Sequence, residues 1–233
     1  MELETLKENP ITIAIDGHSS TGKSTLAKQL AKTLGYVYVD TGAMYRAVTL
    51  YAMRKGWVCE ETIDIPNLVK GLKEIILTFK FNEELGFGEM FLNGENVEQE
   101  IRQLEVSKLV SKVAEVSEVR TKLVEQQQLM GNNKGVVMDG RDIGTVVFPD
   151  AEMKLFMTAS SQTRAKRRYD ELLKKGQRVT FDEVLKNVEE RDYIDSNRAD
   201  SPLVQAEGAI VLDNSGMTKE EQYQVVLKWL TEI

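Results

Sequence analysis

Short apolar runs alternate along the chain with longer segments in which apolar residues recur every three or four positions. The short runs are bounded by glycine or by polar residues, which is typical of buried strands. They predict five strands, at residues 11–16, 36–39, 136–138, 153–158 and 209–212.

The segments between these strands have the spacing of amphipathic helices. Two of them begin with Thr-x-x-Glu, at Thr180 and Thr218, which is the pattern of a capping box. The predicted helices cover residues 26–34, 44–55, 103–130 (two helices, or one bent near Ser117), 160–176, 180–191 and 218–230. Alternating strands and helices predict an α/β fold with a doubly wound, five-stranded parallel sheet.

Residues 60–105 depart from this alternation. Residues 75–81 and 87–92 have strand character, and Asn93-Gly94 is a strong turn signal. We predict one domain over residues 1–233, with its core at 11–59, 106–160 and 205–233 and a small β-containing insertion at about 60–105. Surface insertions cost little stability, so this one can also be a structural flap without chemistry.

Composition limits the classes of partner. The formal charge of −7 argues against a general nucleic-acid-binding surface, which needs an excess of Lys and Arg. Cys59 is the only cysteine, so an intramolecular disulfide and a thiolate zinc cluster are both excluded. No apolar run approaches the roughly 18 residues of a membrane span, and the first ten residues are polar and acidic. We expect a cytoplasmic protein without membrane or nucleic-acid partners.

Residues 17–24 read Gly-His-Ser-Ser-Thr-Gly-Lys-Ser and fit the phosphate-binding motif G-x-x-x-x-G-K-[ST] at every fixed position. The motif lies between a predicted strand and a predicted helix, as a P-loop requires. Lys23 is expected to reach the β- and γ-phosphates of ATP, and the Ser24 hydroxyl to bind Mg²⁺. His18, the only histidine, is interpreted as a loop residue rather than a base. The expected ATP-binding residues are Gly17, His18, Ser19, Ser20, Thr21, Gly22, Lys23, Ser24 and Thr25.

A P-loop is shared by kinases, GTPase switches and motor ATPases, so other residues must distinguish these classes. The chain has no guanine-reading N-K-x-D segment, which argues against a GTPase switch. Residues 164–198 contain ten Lys or Arg against eight Asp or Glu, although the whole chain is acidic. This locally basic segment favours a second, smaller anionic substrate.

Three further stretches carry a specific resemblance. They are Asp40-Thr41-Gly42-Ala43-Met44-Tyr45-Arg46, Asp139-Gly140-Arg141-Asp142-Ile143-Gly144-Thr145-Val146-Val147-Phe148-Pro149-Asp150, and Glu190-Arg191-Asp192 leading to Asn197-Arg198. With the P-loop they resemble the bacterial cytidylate kinases over residues 11–213. The chain departs from that family at His18, where the family often has Pro, and at Thr41, where some members have Ser.

The resemblance implies transfer of the ATP γ-phosphoryl group to CMP or dCMP with Mg²⁺, in pyrimidine nucleotide metabolism. It also implies a nucleoside monophosphate (NMP) kinase fold, with the insertion in the NMP-binding region and residues 161–204 as a mobile helical lid. We expect a monomer, because such a kinase must open and close freely.

Site residues follow from the resemblance by matching position. The implied CMP contacts are Thr41, Arg46 and Arg141 to the phosphate, Ser111, Arg120 and Asp142 to cytosine, and Arg191 and Asp195 to the ribose. Lys23, Arg141 and Arg191 are the expected catalytic residues, and Arg164, Arg168 and Arg198 are lid candidates for phosphate binding. Asp142 can accept a hydrogen bond from cytosine N4–H₂, whereas uracil presents an acceptor there, so CMP should be preferred over UMP.

Two other functions stay open from the residues alone. A P-loop kinase of shikimate, gluconate or another nucleotide shares the loop but leaves Arg120 and Asp142 unexplained. A regulatory module that binds ATP without turnover leaves the arginines outside the loop unexplained. Asp40, Asp139 and Asp213 each end a predicted strand, where a carboxylate orders Mg²⁺-bound water or caps a helix.

Overall fold

The computed structural model describes residues 3–232, which form two compact units, residues 3–40 with 128–232 and residues 41–127. The α-helices of the described residues are α1 Leu3–Glu8, α2 Lys23–Leu34, α3 Thr41–Arg54, α4 Ile65–Gly71, α5 Leu104–Ala114, α6 Ser117–Gly131, α7 Ser161–Lys174, α8 Phe181–Asn197 and α9 Lys219–Thr231. The β-strands are β1 Thr12–Gly17, β2 Val37–Asp40, β3 Leu77–Asn82, β4 Phe87–Leu92, β5 Glu95–Asn96, β6 Val136–Gly140, β7 Met153–Thr158 and β8 Ile210–Asp213. Along residues 3–232, no helix is both long enough and apolar enough to span a bilayer.

The first unit contains a five-stranded sheet in the order β2-β6-β1-β7-β8. All neighbouring strands are parallel, and Ile13 of β1 pairs with Val137 of β6 and with Met153 of β7. The predicted α/β fold and its five parallel strands are confirmed. Because the strands are parallel, their carboxyl ends meet at one edge of the sheet, where ligands bind in open α/β folds.

Helix α2 fixes the end of the loop that follows β1. Its apolar face packs against Ile13 and Ile15 of β1 in the main core of this unit. The helix residues of this face are Leu26, Ala27, Leu30, Ala31 and Leu34, all buried. Full burial of one leucine stabilises the fold by about 1.5–3 kcal/mol. The loop of residues 18–22 is therefore held between two well-packed elements.

Helices α7 and α8 form the basic segment found in the sequence. The predicted capping box begins α8, because Thr180 accepts a hydrogen bond from the Glu183 N–H and Glu183 accepts one from the Thr180 N–H. Helix α8 continues to Asn197, beyond the predicted end at residue 191, since no glycine or proline interrupts it. A single helix thus carries Arg191 and Asp195 one turn apart.

The second unit contains α3, α4, α5, most of α6 and a three-stranded antiparallel sheet in the order β3-β4-β5. Asn93 and Gly94 have positive φ values of 51° and 87° at the turn between β4 and β5, as their turn signal predicts. Residues 103–130 form two helices, which was one of the two predicted alternatives. Helices α1 and α4 were not predicted, because six or seven residues are too few to show a helical period.

The two tryptophans lie in different units. Trp57 makes an edge-to-face contact with Tyr51, with ring centroids 5.8 Å apart. Its indole also lies against Gly71, where a Cβ would overlap the ring. Trp229 on α9 packs against the main core of the first unit. Each unit therefore contains one indole packed against its own residues.

Candidate active site

The loop after β1 has the backbone conformation of a phosphate cradle. Gly17 has a φ of 144°, and a Cβ at this position would overlap the carbonyl oxygen of Met157 on the neighbouring strand. Gly22 has a φ of 97° just before α2. Both values lie in the region that L-residues with a side chain rarely adopt. Lys23 Nζ donates to the His18 carbonyl at 2.6 Å, so the lysine lies across its own loop.

Side chains from the basic segment and from the end of β8 support this loop from outside. Arg164 donates to the Ser19 carbonyl at 3.3 Å. Arg167 and Asn214 both donate to the Thr21 carbonyl, at 3.3 and 2.7 Å. Holding these carbonyls fixes the orientation of the peptide groups to which they belong. Arg167 and Asn214 belong to no recognised motif, so their support of the loop was not predicted.

Ser24, in the first turn of α2, is paired with Asp139 near the end of β6. Ser24 Oγ donates to Asp139 Oδ2 at 3.1 Å, and Tyr38 Oη donates to Asp139 Oδ1 at 2.8 Å. Burial, and then the charge of Asp40, raise the pKa of Asp139 to about 6. Asp213 instead accepts hydrogen bonds from the backbone and side chain of Ser215. Of the strand-end carboxylates, Asp139 is the one placed beside Ser24.

Lys23 is buried among charges of both signs. Burial, and then the positive charge of Arg141, lower the pKa of Lys23 to about 7, while Asp139 and Asp16 act in the opposite direction. The ammonium of the P-loop and the guanidinium at the end of β6 therefore lie close enough to repel each other. An anion placed between two such cations would be attracted by both.

Three arginines surround the buried carboxylate of Asp195. Arg141 Nε donates to Asp195 Oδ2 at 2.8 Å, and Arg198 lies 3.9 Å from Asp195 Oδ1. Burial by itself would raise the pKa of Asp195, but Arg141, Arg191 and Arg198 lower it to about 2. Burial lowers the pKa of Arg191 to about 10. The cluster has more positive than negative charge, as a phosphate-binding site requires.

The other predicted lid arginines have carboxylate partners. Arg164 donates to Asp192 at 2.9 Å, and His18 Nδ1 lies 3.2 Å from the same carboxylate. Arg168 donates to Glu171 at 3.0 Å. Burial raises the pKa of Asp192, but His18 and Arg164 more than offset this and hold it below its usual value. Asp192 thus joins the P-loop histidine to the basic segment, a contact that the sequence did not reveal.

The second unit holds the remaining predicted contacts. Thr41 begins α3, and Arg46 on the same helix donates to the Ile101 carbonyl at 3.2 Å. Arg120 is 2% exposed, donates to the Ala114 carbonyl at 3.2 Å and lies 5.5 Å from the Tyr45 ring centroid. Ser111 on α5 is also 2% exposed, so its hydroxyl does not face solvent. The buried polar residues of this unit include Thr41, Thr49, Ser107, Ser111, Arg120 and Gln127.

Asp142 lies where β6 passes into an unusual turn. Residues Ile143–Val147 form a single π-helical turn, a feature frequent at functional sites. The Asp142 carbonyl accepts from the Val146 N–H at 2.9 Å. The carboxylate of Asp16, from the end of β1, accepts from the N–H groups of Ile143 and Gly144 at 2.8 and 2.7 Å. Asp16 was not predicted, because its role depends on a residue far along the chain.

Comparison with known proteins identifies the family. A family model described as cytidylate kinase matches residues 13–232. The chain belongs to the cytidylate kinase family. Proteins named cytidylate kinase from Flavobacterium johnsoniae, Flavobacterium psychrophilum and Porphyromonas gingivalis are 65%, 61% and 57% identical to it. The alignments cover 96%, 96% and 97% of this chain and 97%, 99% and 98% of those relatives. The relationship therefore extends far beyond the P-loop.

The residues predicted from the resemblance to cytidylate kinases divide between the two units. Arg141, Asp142, Arg191 and Asp195 belong to the first unit, as do all predicted ATP-binding residues. Thr41, Arg46, Ser111 and Arg120 belong to the second. Within the first unit, the structure brings Arg141, Arg191 and Arg198 together around the carboxylate of Asp195.

Proposed function

We propose that this chain transfers the γ-phosphoryl group of ATP to CMP and dCMP, and that Lys23, Arg141 and Arg191 are its catalytic residues. Membership of the cytidylate kinase family supports the reaction. One observation carries the residue assignment. Arg141 donates to Asp195 at 2.8 Å beside Arg191 and also lowers the pKa of Lys23, so three cations from separate elements converge.

ATP is the donor, and we propose that residues 17–25 hold its phosphates. Mg²⁺ fits the Ser24 hydroxyl and the neighbouring Asp139 carboxylate, because both are oxygen ligands and Mg²⁺ usually takes few protein ligands besides phosphates and water. Ser24 would bind the ion, and Asp139 would orient its water. When bound, Mg²⁺ neutralises charge on the phosphate oxygens.

For the acceptor, we propose that Thr41, Arg46 and Arg141 bind the CMP phosphate and that Arg191 and Asp195 bind the ribose. Cytosine would be recognised by Ser111, Arg120 and Asp142. Each of these three is no more than 3% exposed, which supports recognition without competing water. Asp142 accepts from cytosine N4–H₂, and it would face the O4 acceptor of uracil unfavourably.

The reaction requires positioning and charge neutralisation rather than a strong base. A phosphate oxygen of CMP attacks the γ-phosphorus of ATP, the bond to the β,γ-bridging oxygen breaks, and ADP leaves with the electron pair. Lys23, Arg141 and Arg191 would stabilise the charge on the transferring group. We propose that the insertion at about 60–105 belongs to the NMP-binding region and that residues 161–204 close as a lid, which excludes water. Arg164, Arg168 and Arg198 are the lid candidates for phosphate contact.

An assay of ADP release tests the acceptor. We expect ADP to form with CMP and dCMP, much less with UMP, and not appreciably with AMP, GMP, shikimate or gluconate. Selectivity for CMP over UMP of about tenfold to hundredfold corresponds to one buried polar mismatch. Preference for any acceptor other than a cytidine nucleotide would contradict the proposal.

Substitution of Arg141 tests the residue assignment. Arg141→Ala should lose most CMP phosphorylation, because the acceptor phosphate loses its guanidinium, while ATP still binds. The matched control is Arg54→Ala, which removes an exposed arginine paired with Glu95 and Glu100. Loss of ATP binding in Arg141→Ala, or full activity, would remove Arg141 from the acceptor site.

We also propose that the enzyme works as a monomer in the cytoplasm, on small-molecule substrates and without a nucleic-acid partner. The formal charge of −7 supports the last point, because a polyanion would be repelled. Sedimentation at micromolar protein concentration should give a mass near 26.3 kDa. A dimer mass under these conditions would contradict the monomer.

A further inference from the structure

Arg141 and Asp142 are a dipeptide whose two ends are both attached to one residue of β1. On the amino side, β6 ends at Gly140, which pairs with Asp16 in the parallel ladder. On the carboxyl side, the Asp16 carboxylate accepts the N–H groups of Ile143 and Gly144, at 2.8 and 2.7 Å. Only two residues lie between these attachments.

Both oxygens of Asp16 are used, one for each N–H group. Hydrogen bonds from amides to a carboxylate are stronger than those to a neutral acceptor. The carboxylate is 3% exposed, so water does not compete for it. Burial raises the pKa of Asp16 to about 6, which leaves it ionised at neutral pH.

Gly144 leaves room for this contact. A Cβ at residue 144 would lie 3.3 Å from Asp16 Oδ2 and 3.2 Å from the Ala206 side chain. Both separations are tighter than most Cβ contacts, so a side chain at residue 144 would push the carboxylate or its neighbours away by a few tenths of an ångström. The lack of a side chain at residue 144 thus accompanies the hydrogen bond that its N–H donates to Asp16.

We propose that Asp16 is a positioning residue for the acceptor site: by fixing both ends of the Arg141-Asp142 dipeptide, it sets the place of the guanidinium and of the carboxylate that reads cytosine. The inference rests on the proposed roles of Arg141 and Asp142. It assigns Asp16 no contact with either substrate.

Asp16→Asn is the first test, because it keeps the volume and removes one acceptor. The new amide would point a donor at one of the two N–H groups, so the π-helical turn loses a hydrogen bond and gains a repulsive contact. We expect kcat/KM for CMP to fall about tenfold to hundredfold, as for loss of one charge-assisted bond, and the CMP-to-UMP preference to fall with it. The affinity for ATP alone should fall less than kcat/KM for CMP, because Asp16 acts on the P-loop only through its charge on Lys23.

The matched control is Glu152→Gln. Glu152 also accepts from a backbone N–H of β1, that of Thr12 at 2.9 Å, but at the amino end of the strand. Both variants should lower Tm, whereas only Asp16→Asn should alter the CMP-to-UMP preference. Equal preference in Asp16→Asn, Glu152→Gln and wild type would show a structural role alone and overturn the proposal.

Asp16 also acts electrostatically on Lys23, so a second variant must keep its charge. Gly144→Ala keeps the Asp16 charge and disturbs its contact with the backbone of residue 144. We expect this variant also to lower the CMP-to-UMP preference. If Asp16→Asn does not fold, an unchanged preference in Gly144→Ala overturns the proposal. A loss of ATP affinity in Asp16→Asn as large as the loss for CMP would also overturn it, because the effect would then pass through Lys23.

Asp142→Asn separates this proposal from the proposed function. If Asp142→Asn reduces the CMP-to-UMP preference and Asp16→Asn does not, cytosine recognition by Asp142 stands and the positioning role of Asp16 fails. If neither variant alters the preference, the assignment of Asp142 fails and the role of Asp16 fails with it.

Discussion

Lys23 shows how the surroundings of one residue determine its charge. Its ammonium is buried next to Arg141, and both effects favour the neutral amine, so its pKa is about 7 in the absence of nucleotide. The charged form, which we propose binds phosphate, predominates only below that pKa. A bound triphosphate would favour the charged form and raise the pKa again.

The affinity for ATP is therefore expected to fall as pH rises above about 7, by up to about tenfold per unit, because free Lys23 must first take up a proton. Isothermal titration with ATP between pH 7.5 and 9.5 measures this slope. The control is Lys23→Arg, whose guanidinium stays charged over this range. Its affinity should be nearly independent of pH, whatever its absolute value. An equal slope in both proteins would assign the effect to another group.

Helices α8 and α9 begin with the same capping box but belong to different surroundings. Thr180 and Glu183 form it in α8, and Thr218 and Glu221 form it in α9. Helix α9 contributes Val226 and Leu230 to the main core, whereas the buried valines of α8, Val184 and Val188, are not part of that core cluster. Loss of the cap should therefore lower the global stability of the fold in α9, but mainly the local stability of the helix in α8.

Loss of either cap should cost about 1 kcal/mol. For Thr218→Ala we expect this to appear in global stability, as a Tm lower by about 2–4 °C. For Thr180→Ala we expect faster amide exchange in the first turn of α8, by about fivefold, with a smaller change in Tm. Calorimetry and exchange mass spectrometry measure the two quantities. Equal Tm losses would contradict a separate opening of α8.

The sequence predicted the regular elements well where their pattern was long or their end signals strong. Strand β4 and the capping boxes of α8 and α9 have the predicted residues. The predicted end of α8 at residue 191 was wrong, because a charged helix without Gly or Pro has no stop signal before Asn197. The π-helical turn after Asp142 was missed, since it is stabilised by Asp16 from another strand and not by its own sequence.

At the scale of the whole molecule, the predicted CMP contacts are divided between two units, and this gives a test in solution. An unreactive ATP analogue should slow amide exchange around residues 17–25 of the first unit. CMP should slow it at residues 139–142 and also in α3, α5 and α6 of the second unit. Exchange mass spectrometry with each ligand separately distinguishes these patterns.

UMP at the same concentration is the control, and it should give weaker protection in both units. Protection by CMP that leaves residues 41–127 unchanged would remove Thr41, Arg46, Ser111 and Arg120 from the acceptor site.

The proposed donor half of the site follows from a local motif, because the P-loop is contiguous and its chemistry belongs to its own backbone. The residues that support it could not be found in this way. Asn214, Arg167 and Tyr38 reach the loop or the Ser24–Asp139 pair from distant parts of the chain. Their function depends on tertiary packing, which a single sequence does not show.

The packing of the two tryptophans, one in each unit, has a practical consequence. Each indole is a fluorophore whose emission reports on its own surroundings, so the native chain already carries a separate optical signal for each unit. In a Trp229→Phe protein the remaining emission comes from Trp57 beside Tyr51, and in a Trp57→Phe protein it comes from α9. The response of each unit to ATP and to CMP can therefore be followed in real time by stopped-flow fluorescence, without attaching a dye.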